Sequence, residues 1–433
     1  MNIAILGFGS QGQSAYEYWS SDGHSMTICD QNEQLQVPNG AEAQLGEDYL
    51  NGLDDFDLIV RSPSIHPREI VSANTPGTLE KVTSVTDEFL RVCPTSKVIG
   101  VTGTKGKGTT SSLIAKILEA AGEKVHLGGN IGIPPLELLK NGITENDWVV
   151  LELANFQTID LHYSPMVAVC LMVVPEHLNW HTDFDEYVKA KSQLFANQTA
   201  DNVAIYYAPN ANSRHIANSS PGQKIPYFEA PGAHVENDII VINGQAICHT
   251  QEIKLLGAHN WQNACAAITA IWGITQNVEA IRSVLTTFAG LEHRLELVRE
   301  LHKIRYYDDS FGTTPETAIV AIEAFHEPKV VILGGSDKGA SYDDLANVVA
   351  GSNVRCVVLI GDTAEAIKVD LLAEGYTNIV MGGDNMKDIV KVAKHHAKHG
   401  DIVLLSTGCA SFGMFKNYKD RAEQFIEAVK ALS

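Results

Sequence analysis

This chain has none of the features that mark membrane-spanning, nucleic-acid-binding or disulfide-stapled proteins. Its longest apolar run, Met166 to Val174, covers about half a membrane span. Its first residues, Met1-Asn2-Ile3-Ala4-Ile5-Leu6-Gly7, carry neither the basic region nor the cleavage site of a secretory signal. Seven cysteines (29, 93, 170, 248, 265, 356 and 409) occur without a C-x-x-C pair. An odd, scattered set argues against a disulfide framework. Positive charge is scarce, with 32 Lys and Arg against 52 Asp and Glu, a formal net charge of −20. That balance disfavours nucleic acid or an anionic membrane as a partner. These absences predict a cytoplasmic enzyme acting on small molecules.

What is present is the pattern of a parallel α/β protein. At 433 residues the chain exceeds what one core normally serves, so two or three domains are expected. The first block, residues 1–92, opens with Asn2-Ile3-Ala4-Ile5-Leu6 and then Gly7-Phe8-Gly9-Ser10-Gln11-Gly12. Further strands are expected at 26–29, ending at Asp30, and at 56–60, ending at Arg61-Ser62-Pro63. A G-x-G-x-x-G turn in a β-α-β setting, with an acidic residue about twenty positions on, suggests a dinucleotide or nucleoside-diphosphate site. Taken alone it also admits an NAD-dependent oxidoreductase.

The second block, 93–298, carries the most informative stretch, Gly103-Thr104-Lys105-Gly106-Lys107-Gly108-Thr109-Thr110, entered from Val98-Ile99-Gly100-Val101. Leu113, Ile114, Ile117, Leu118 and Ala121 then recur at helical spacing. A glycine-rich loop between strand and helix presents backbone N–H groups to phosphate. Lys107 adds a mobile charge and Thr109 a hydroxyl suited to Mg²⁺. ATP binding is expected. Strands are expected at 148–151, 167–174 and 203–207, whose near-continuous apolar runs fit a sheet buried on both faces. Glu152, Glu176 and His177 follow such strands, at the rim where open α/β sheets bind ligands. Glu152 and His177 are candidate Mg²⁺ ligands. Lys191 lies on a helical stretch, where composition gives no reason to choose it over Lys189. The third block, 299–433, alternates strands at 330–333, 356–360, 378–381 and 402–405 with helices. Arg294, near the second boundary, could reach a phosphate. Asp309 and Lys338 follow strands of the third block.

In order along the chain, these segments resemble the Mur ligase family of ATP-dependent amide synthetases, and specifically its D-glutamate-adding branch. The carriers are Gly7 to Ser14, Val101 to Lys107, Gly128-Gly129-Asn130-Ile131-Gly132 and Glu152-Leu153-Ala154-Asn155-Phe156-Gln157. They continue with His259-Asn260-Trp261-Gln262-Asn263, Leu291-Glu292-His293-Arg294, Asp309-Ser310, Gly334 to Gly339, and Cys409 to Tyr418. The resemblance implies three domains. An N-terminal Rossmann-like domain would hold UDP, a central P-loop ATPase-like parallel sheet would hold ATP, and a C-terminal Rossmann-like domain would take the amino acid.

The resemblance also implies roles for individual residues. Lys107 would hold the transferring phosphate, among loop residues Gly103, Thr104, Lys105, Gly106, Gly108, Thr109 and Thr110. Thr109 and Glu152 would hold one Mg²⁺, and His177 and a carbamylated Lys191 a second. Asn260, Arg294 and Asp309 would embrace ATP. Gly9, Ser10, Gln11, Asp30 and Ser62 would serve the UDP moiety, and Asn130 and Gln157 the muramoyl-alanine. Lys338, Ser411 and Phe412 would contact the incoming amino acid, with Thr313 and Tyr418 also among the substrate-binding residues. The substrates implied are UDP-MurNAc-L-alanine and D-glutamate, used by a monomer.

The chain also departs from the family pattern. Gly108 follows Lys107 where a hydroxyl residue is usual, an arrangement shared with folylpolyglutamate synthases, which keeps a related ligase as an alternative. Ala154-Asn155 replaces paired serines. Phe311 stands where the D-glutamate-adding members carry lysine, Thr314 where they carry asparagine, and Ser406-Thr407-Gly408-Cys409 replaces Ser-Pro-Ala-Cys.

Overall fold

The computed structural model describes all residues except 22, 131–132, 256 and 338–339. The chain divides into two compact units, Met1–Phe288 and Ala289–Ser433. The boundary expected after residue 298 falls inside the strand Glu296–Leu301, which pairs antiparallel with Ile304–Asp308. The division therefore lies ahead of that hairpin.

The first unit holds two parallel sheets and one small antiparallel sheet. The first sheet runs, in spatial order, Glu42–Leu45, Ser25–Asp30, Asn2–Leu6, Leu58–Arg61 and Val82–Thr83. Its strand order reverses beside Asn2–Leu6, which places the glycine turn at a topological switch point. The second sheet runs Gln223–Tyr227, Val203–Tyr207, Val167–Cys170, Val98–Thr102, Trp148–Glu152 and Val125–Gly129. Its inner strands Val98–Thr102, Trp148–Glu152 and Val167–Cys170 are buried on both faces because alternate residues feed two cores. Ile99, Val101, Val150, Val167 and Val169 pack under the helices Lys107–Ala120 and His259–Ile271. Val98, Val149, Leu151, Ala168 and Cys170 pack on the other side, in one core with Ile3, Ile5, Ile28 and Val60 of the first sheet. The expected division at residue 92 thus separates two sheets that share a core.

The apolar run 167–174 is only half strand. Val167–Cys170 is paired, whereas residues 171–174 turn to follow the phosphate loop. Leu171 N donates to Thr102 O and Thr104 N to Met172 O. Val174 N donates to Thr104 Oγ1, which donates back to Val174 O. Most of the run is buried, up to Val173, and the backbone of 171–174 serves the loop instead of a neighbouring strand.

The second unit is one six-stranded sheet in the order Glu296–Leu301, Ile304–Asp308, Ile402–Leu405, Lys329–Leu333, Val354–Leu359 and Ile379–Met381. All pairs except the first are parallel. Val331, Leu333, Val357 and Leu404 face one core, and Val330, Ile332, Val358 and Val403 the other. Among the described residues no helix is long and apolar enough to cross a membrane.

Candidate active site

The strand Val98–Thr102 delivers the chain to a loop that only glycine can form at two points. Gly103 has φ +147°, and a Cβ there would sit 2.6 Å from Leu171 Cβ. Gly106, at φ +88°, caps the helix Lys107–Ala120 in the left-handed region, and its Cβ would meet Asn263 Oδ1 at 2.3 Å. Asn263 in turn donates to Asn260 Oδ1 at 2.9 Å and faces Thr110 Oγ1 at 3.4 Å. Asn260 is thereby wired to the loop through its helix His259–Ile271. Thr109 is half-buried on the first helical turn beside Gly108.

Two amines converge on this loop. Lys107 Nζ donates to Gly103 O at 3.1 Å and Thr104 O at 3.0 Å. Lys191 Nζ, fully buried, donates to the same Gly103 O at 2.9 Å and lies 4.5 Å from the Tyr187 ring centroid. Burial, and then the positive charge of Lys107, hold the Lys191 amine well below the usual lysine range. Composition did not single out Lys191; its partners do. Tyr187, one helical turn before it, meets Thr104 Oγ1 at 2.9 Å. Since that hydroxyl donates to Val174 O, the phenol is the donor.

Glu152 ends its strand level with Val101 and is buried; its Oε1 accepts from Asn130 Nδ2 at 3.1 Å. Gln157 caps its own short helix, accepting from Ala154 N through Oε1. His177 adopts φ +58°, with its ring 4.8 Å from Phe156 and 3.6 Å from Glu176 Oε2. Partial burial, opposed by Glu176, pushes its pKa down, with Lys107 and Lys191 adding to the effect. Glu176 also pairs with Lys105 at 2.6 Å.

At the first sheet, Gly9, Ser10 and Gln11 open the helix Ser10–Ser20. Asp30 accepts from Phe8 N at 2.8 Å, and Ser62 Oγ donates to Gly7 O at 3.0 Å. The acidic residue and the serine therefore brace the glycine turn.

In the second unit, Asp309 is buried and accepts from Ser406 Oγ at 2.6 Å and Leu295 N at 3.2 Å. Burial pushes its carboxyl up to about 6. Arg294 lies over the Phe311 ring at 5.9 Å, and Tyr418 packs edge-on against that ring at 5.6 Å. Thr313 is half-buried, Ser411 buried and Phe412 exposed. Lys338 lies outside the described residues.

Sequence reading passed over several residues that hold these loops. Arg421, fully buried, donates to Cys409 O and Ser310 O, joining two loops of the second unit. His66, His181 and Glu186 bring ligand-type atoms within 4.8 Å of one another. Hydrogen bonding argues against a metal there. His66 Nδ1 accepts from Arg68 N, which leaves its proton on Nε2. Asn155 Nδ2 lies 2.8 Å from His181 Nε2, which leaves that proton on Nδ1. Both rings thus present N–H, not a lone pair, to Glu186. His181, four residues after His177 in a polar turn, was the available signal.

The Mur ligase middle domain matches residues 101–271, and the Mur ligase glutamate ligase domain matches 293–409. A UDP-N-acetylmuramoylalanine–D-glutamate ligase of Acetivibrio thermocellus is 36% identical across 99% of this chain and 96% of its own length. The chain belongs to the Mur ligase family. A Clostridium kluyveri ligase of the same name is 34% identical with the same coverage. Among solved Mur ligases, the UDP-N-acetylmuramate-alanine ligase MurC of Thermotoga maritima matches with TM-score 0.58 at 17% identity, over 100% of this chain and 99% of that one. MurF of the same organism, crystallised with ADP, gives 0.58 at 17% identity over 99% and 95%. The fold is the mixed α/β fold of Mur ligases.

Proposed function

We propose that this chain is an ATP-dependent amide ligase of peptidoglycan precursor synthesis, joining D-glutamate to UDP-N-acetylmuramoyl-L-alanine as a cytoplasmic monomer. The observation that carries the reading is the pair of amines, Lys107 and Lys191, meeting at Gly103 O of a glycine loop in a chain this similar to ligases of that name.

A carboxylate resists attack by an amine because its leaving group would be oxide. Its oxygen instead attacks the terminal phosphorus of ATP, and ADP leaves. The D-glutamate amine then attacks the carbonyl carbon of the acyl phosphate, gives up a proton, and inorganic phosphate departs. Alignment and neutralisation of phosphoryl charge supply most of such a rate enhancement. Lys107 and the loop amides provide that charge. Residues 1–92 would hold the UDP moiety through Gly9, Ser10, Gln11, Asp30 and Ser62. Asn130 and Gln157 would face the muramoyl-alanine. Arg294 and Asp309 would serve the nucleotide and Lys338, Ser411 and Phe412 the amino acid, with Thr313 and Tyr418 also binding substrate.

The donor chemistry fits Mg²⁺. The Glu152 carboxylate and Thr109 hydroxyl are hard oxygen donors. An unmodified Lys191 beside Lys107 would repel a cation. Its depressed basicity favours the neutral amine that adds to CO₂, and the resulting carbamate would give His177 an oxygen-bearing companion. Mg²⁺ held there supplies positive charge to the transferring phosphoryl group. Incubation with ATP, Mg²⁺ and UDP-N-acetylmuramoyl-L-alanine, scanning amino acids for phosphate release, tests the reading. Release with D-glutamate is expected. Release only with another amino acid overturns the substrate assignment, and release with none overturns the activity.

A further inference from the structure

His177 sits on a turn that has little to hold it by itself. Val174, Pro175, His177, Leu178 and Asn179 are exposed, and His177 is in the left-handed region at φ +58°. A non-glycine residue there is strained and persists only where its surroundings enforce it. The turn closes on His177 O, which accepts from both Trp180 N and His181 N at 3.0 Å.

Two side chains, whose charged groups lie 4.0 Å apart, hold the far end of that turn. Arg68, on the helix Pro67–Ala73 beside the first sheet, donates to Trp180 O at 2.5 Å and Thr182 Oγ1 at 2.8 Å. Glu186, on the helix Phe184–Ala196 that also carries Lys191, accepts from Thr182 N at 2.7 Å and faces His181 Nδ1 at 3.3 Å. His66 Nε2, buried with no full hydrogen bond, lies 3.4 Å from the other Glu186 oxygen. Trp180 fills the space between, with its indole N–H on Ser64 O at 3.2 Å and its ring 4.3 Å from His66 and 4.8 Å from Phe156. Phe156 in turn packs on His177.

We propose that Arg68 and Glu186 are positioning residues that lock the 177–182 turn and so fix His177 beside the phosphate loop. The functional part of this inference rests on His177 acting in the proposed ligase reaction; the mechanical part does not. The lock draws one jaw from the first sheet's side and the other from the Lys191 helix. The block proposed to hold the acceptor nucleotide is thereby tied to the phosphate-transfer centre.

Glu186→Gln keeps the shape but puts an amide N–H₂ against donors. Arg68→Ala removes a side chain that is about half exposed, and it leaves the backbone N–H that His66 accepts. Three readouts separate the possibilities. Amide hydrogen exchange at Trp180 and His181 in the free protein should quicken about tenfold or more in each variant. Mn²⁺ affinity, followed by electron paramagnetic resonance with ADP present, should weaken. For ligation, kcat should fall about 10–100-fold, the usual range for residues that support ligand side chains, while KM for ATP stays within about threefold. The double variant should lose much less than the product of the single losses, since both act on one turn and their charged groups lie 4.0 Å apart. Unchanged exchange in both variants overturns the lock. Faster exchange with wild-type Mn²⁺ affinity overturns its role in placing His177, as does wild-type kcat in an active enzyme or independent, multiplying losses. Should the wild-type chain ligate nothing, the proposed function fails, and exchange and Mn²⁺ affinity still decide the lock.

Discussion

Lys191 and Asp309 are both buried where their ordinary ionised forms are unwelcome, and each gives a testable consequence. For Lys191, burial and Lys107 favour the neutral amine, so ¹³C-labelled bicarbonate should produce a carbamate resonance that is absent from Lys191→Ala. Lys107→Ala should lower phosphate release at least about 100-fold, because its amine supplies positive charge at the phosphate loop, and little change in melting temperature is expected since alanine is the best helix former at this helix start. A rate within about threefold of wild type would remove Lys107 from the mechanism. For Asp309, the folded carboxyl titrates at about 6 against about 3.9 in an unfolded chain. Its folded pKa is raised, so the stability it contributes is complete below about pH 4 and is lost as pH rises through 6. Asp309→Asn keeps an oxygen for Leu295 N, and Ser406 can turn its hydroxyl to accept. The variant should therefore gain on wild type by roughly 1–3 kcal/mol between pH 4 and 8, since a tenfold change in proton affinity is worth about 1.4 kcal/mol. Urea titrations at both pH values check this; a pH-independent difference contradicts it.

At the scale of elements, the phosphate loop was legible because its glycines are demanded by the backbone. Gly106→Ala should cost more than an ordinary helix-start substitution, since it combines a left-handed φ, worth about 1–2 kcal/mol, with the approach to Asn263 Oδ1. Asn263→Ala in the same chain should relieve the clash but not the backbone strain, so calorimetric melting and ATP affinity recover only in part. Full recovery would mean that φ carries no cost. Hairpins show the opposite case. The turns Asn237-Asp238, Asn243-Gly244 and His302-Lys303 all have positive φ at both residues, as tight two-residue hairpins require. Only Asn243-Gly244 has the composition that announces such a turn, and His302-Lys303 gives no signal, so the strand Glu296–Leu301 and the boundary ahead of it were not readable. The run 167–174 misled for a related reason, since apolarity reports burial and not the partner of a backbone N–H. Individual site residues fared likewise. Lys107 stands out in its glycine loop and Glu152 and His177 after apolar runs, whereas Arg68 and Arg421 act on loops distant in sequence, which no local pattern encodes.

For the whole molecule, the clustering of side chains matters more than the count of sheets. Every buried apolar cluster of the first 288 residues ends at or before Phe288, and those of the remainder begin at Leu295. No described core residue is shared between the two sets. The glycine-turn sheet and the phosphate-loop sheet, by contrast, bury Ile3, Ile5, Val149 and Leu151 in one core, so they should melt together despite their separate sequence signatures. Calorimetry of the intact chain should then depart from two-state behaviour, with a calorimetric enthalpy larger than the van't Hoff value. Residues 289–433 produced alone should fold and reproduce one of the transitions. A non-hydrolysable ATP analogue should raise chiefly the transition of residues 1–288, because the phosphate loop lies there and ligand stabilises only the unit that binds it. A single two-state transition, or an unfolded 289–433 fragment, would show that the units depend on each other for stability and that separate cores do not make separate folding units here.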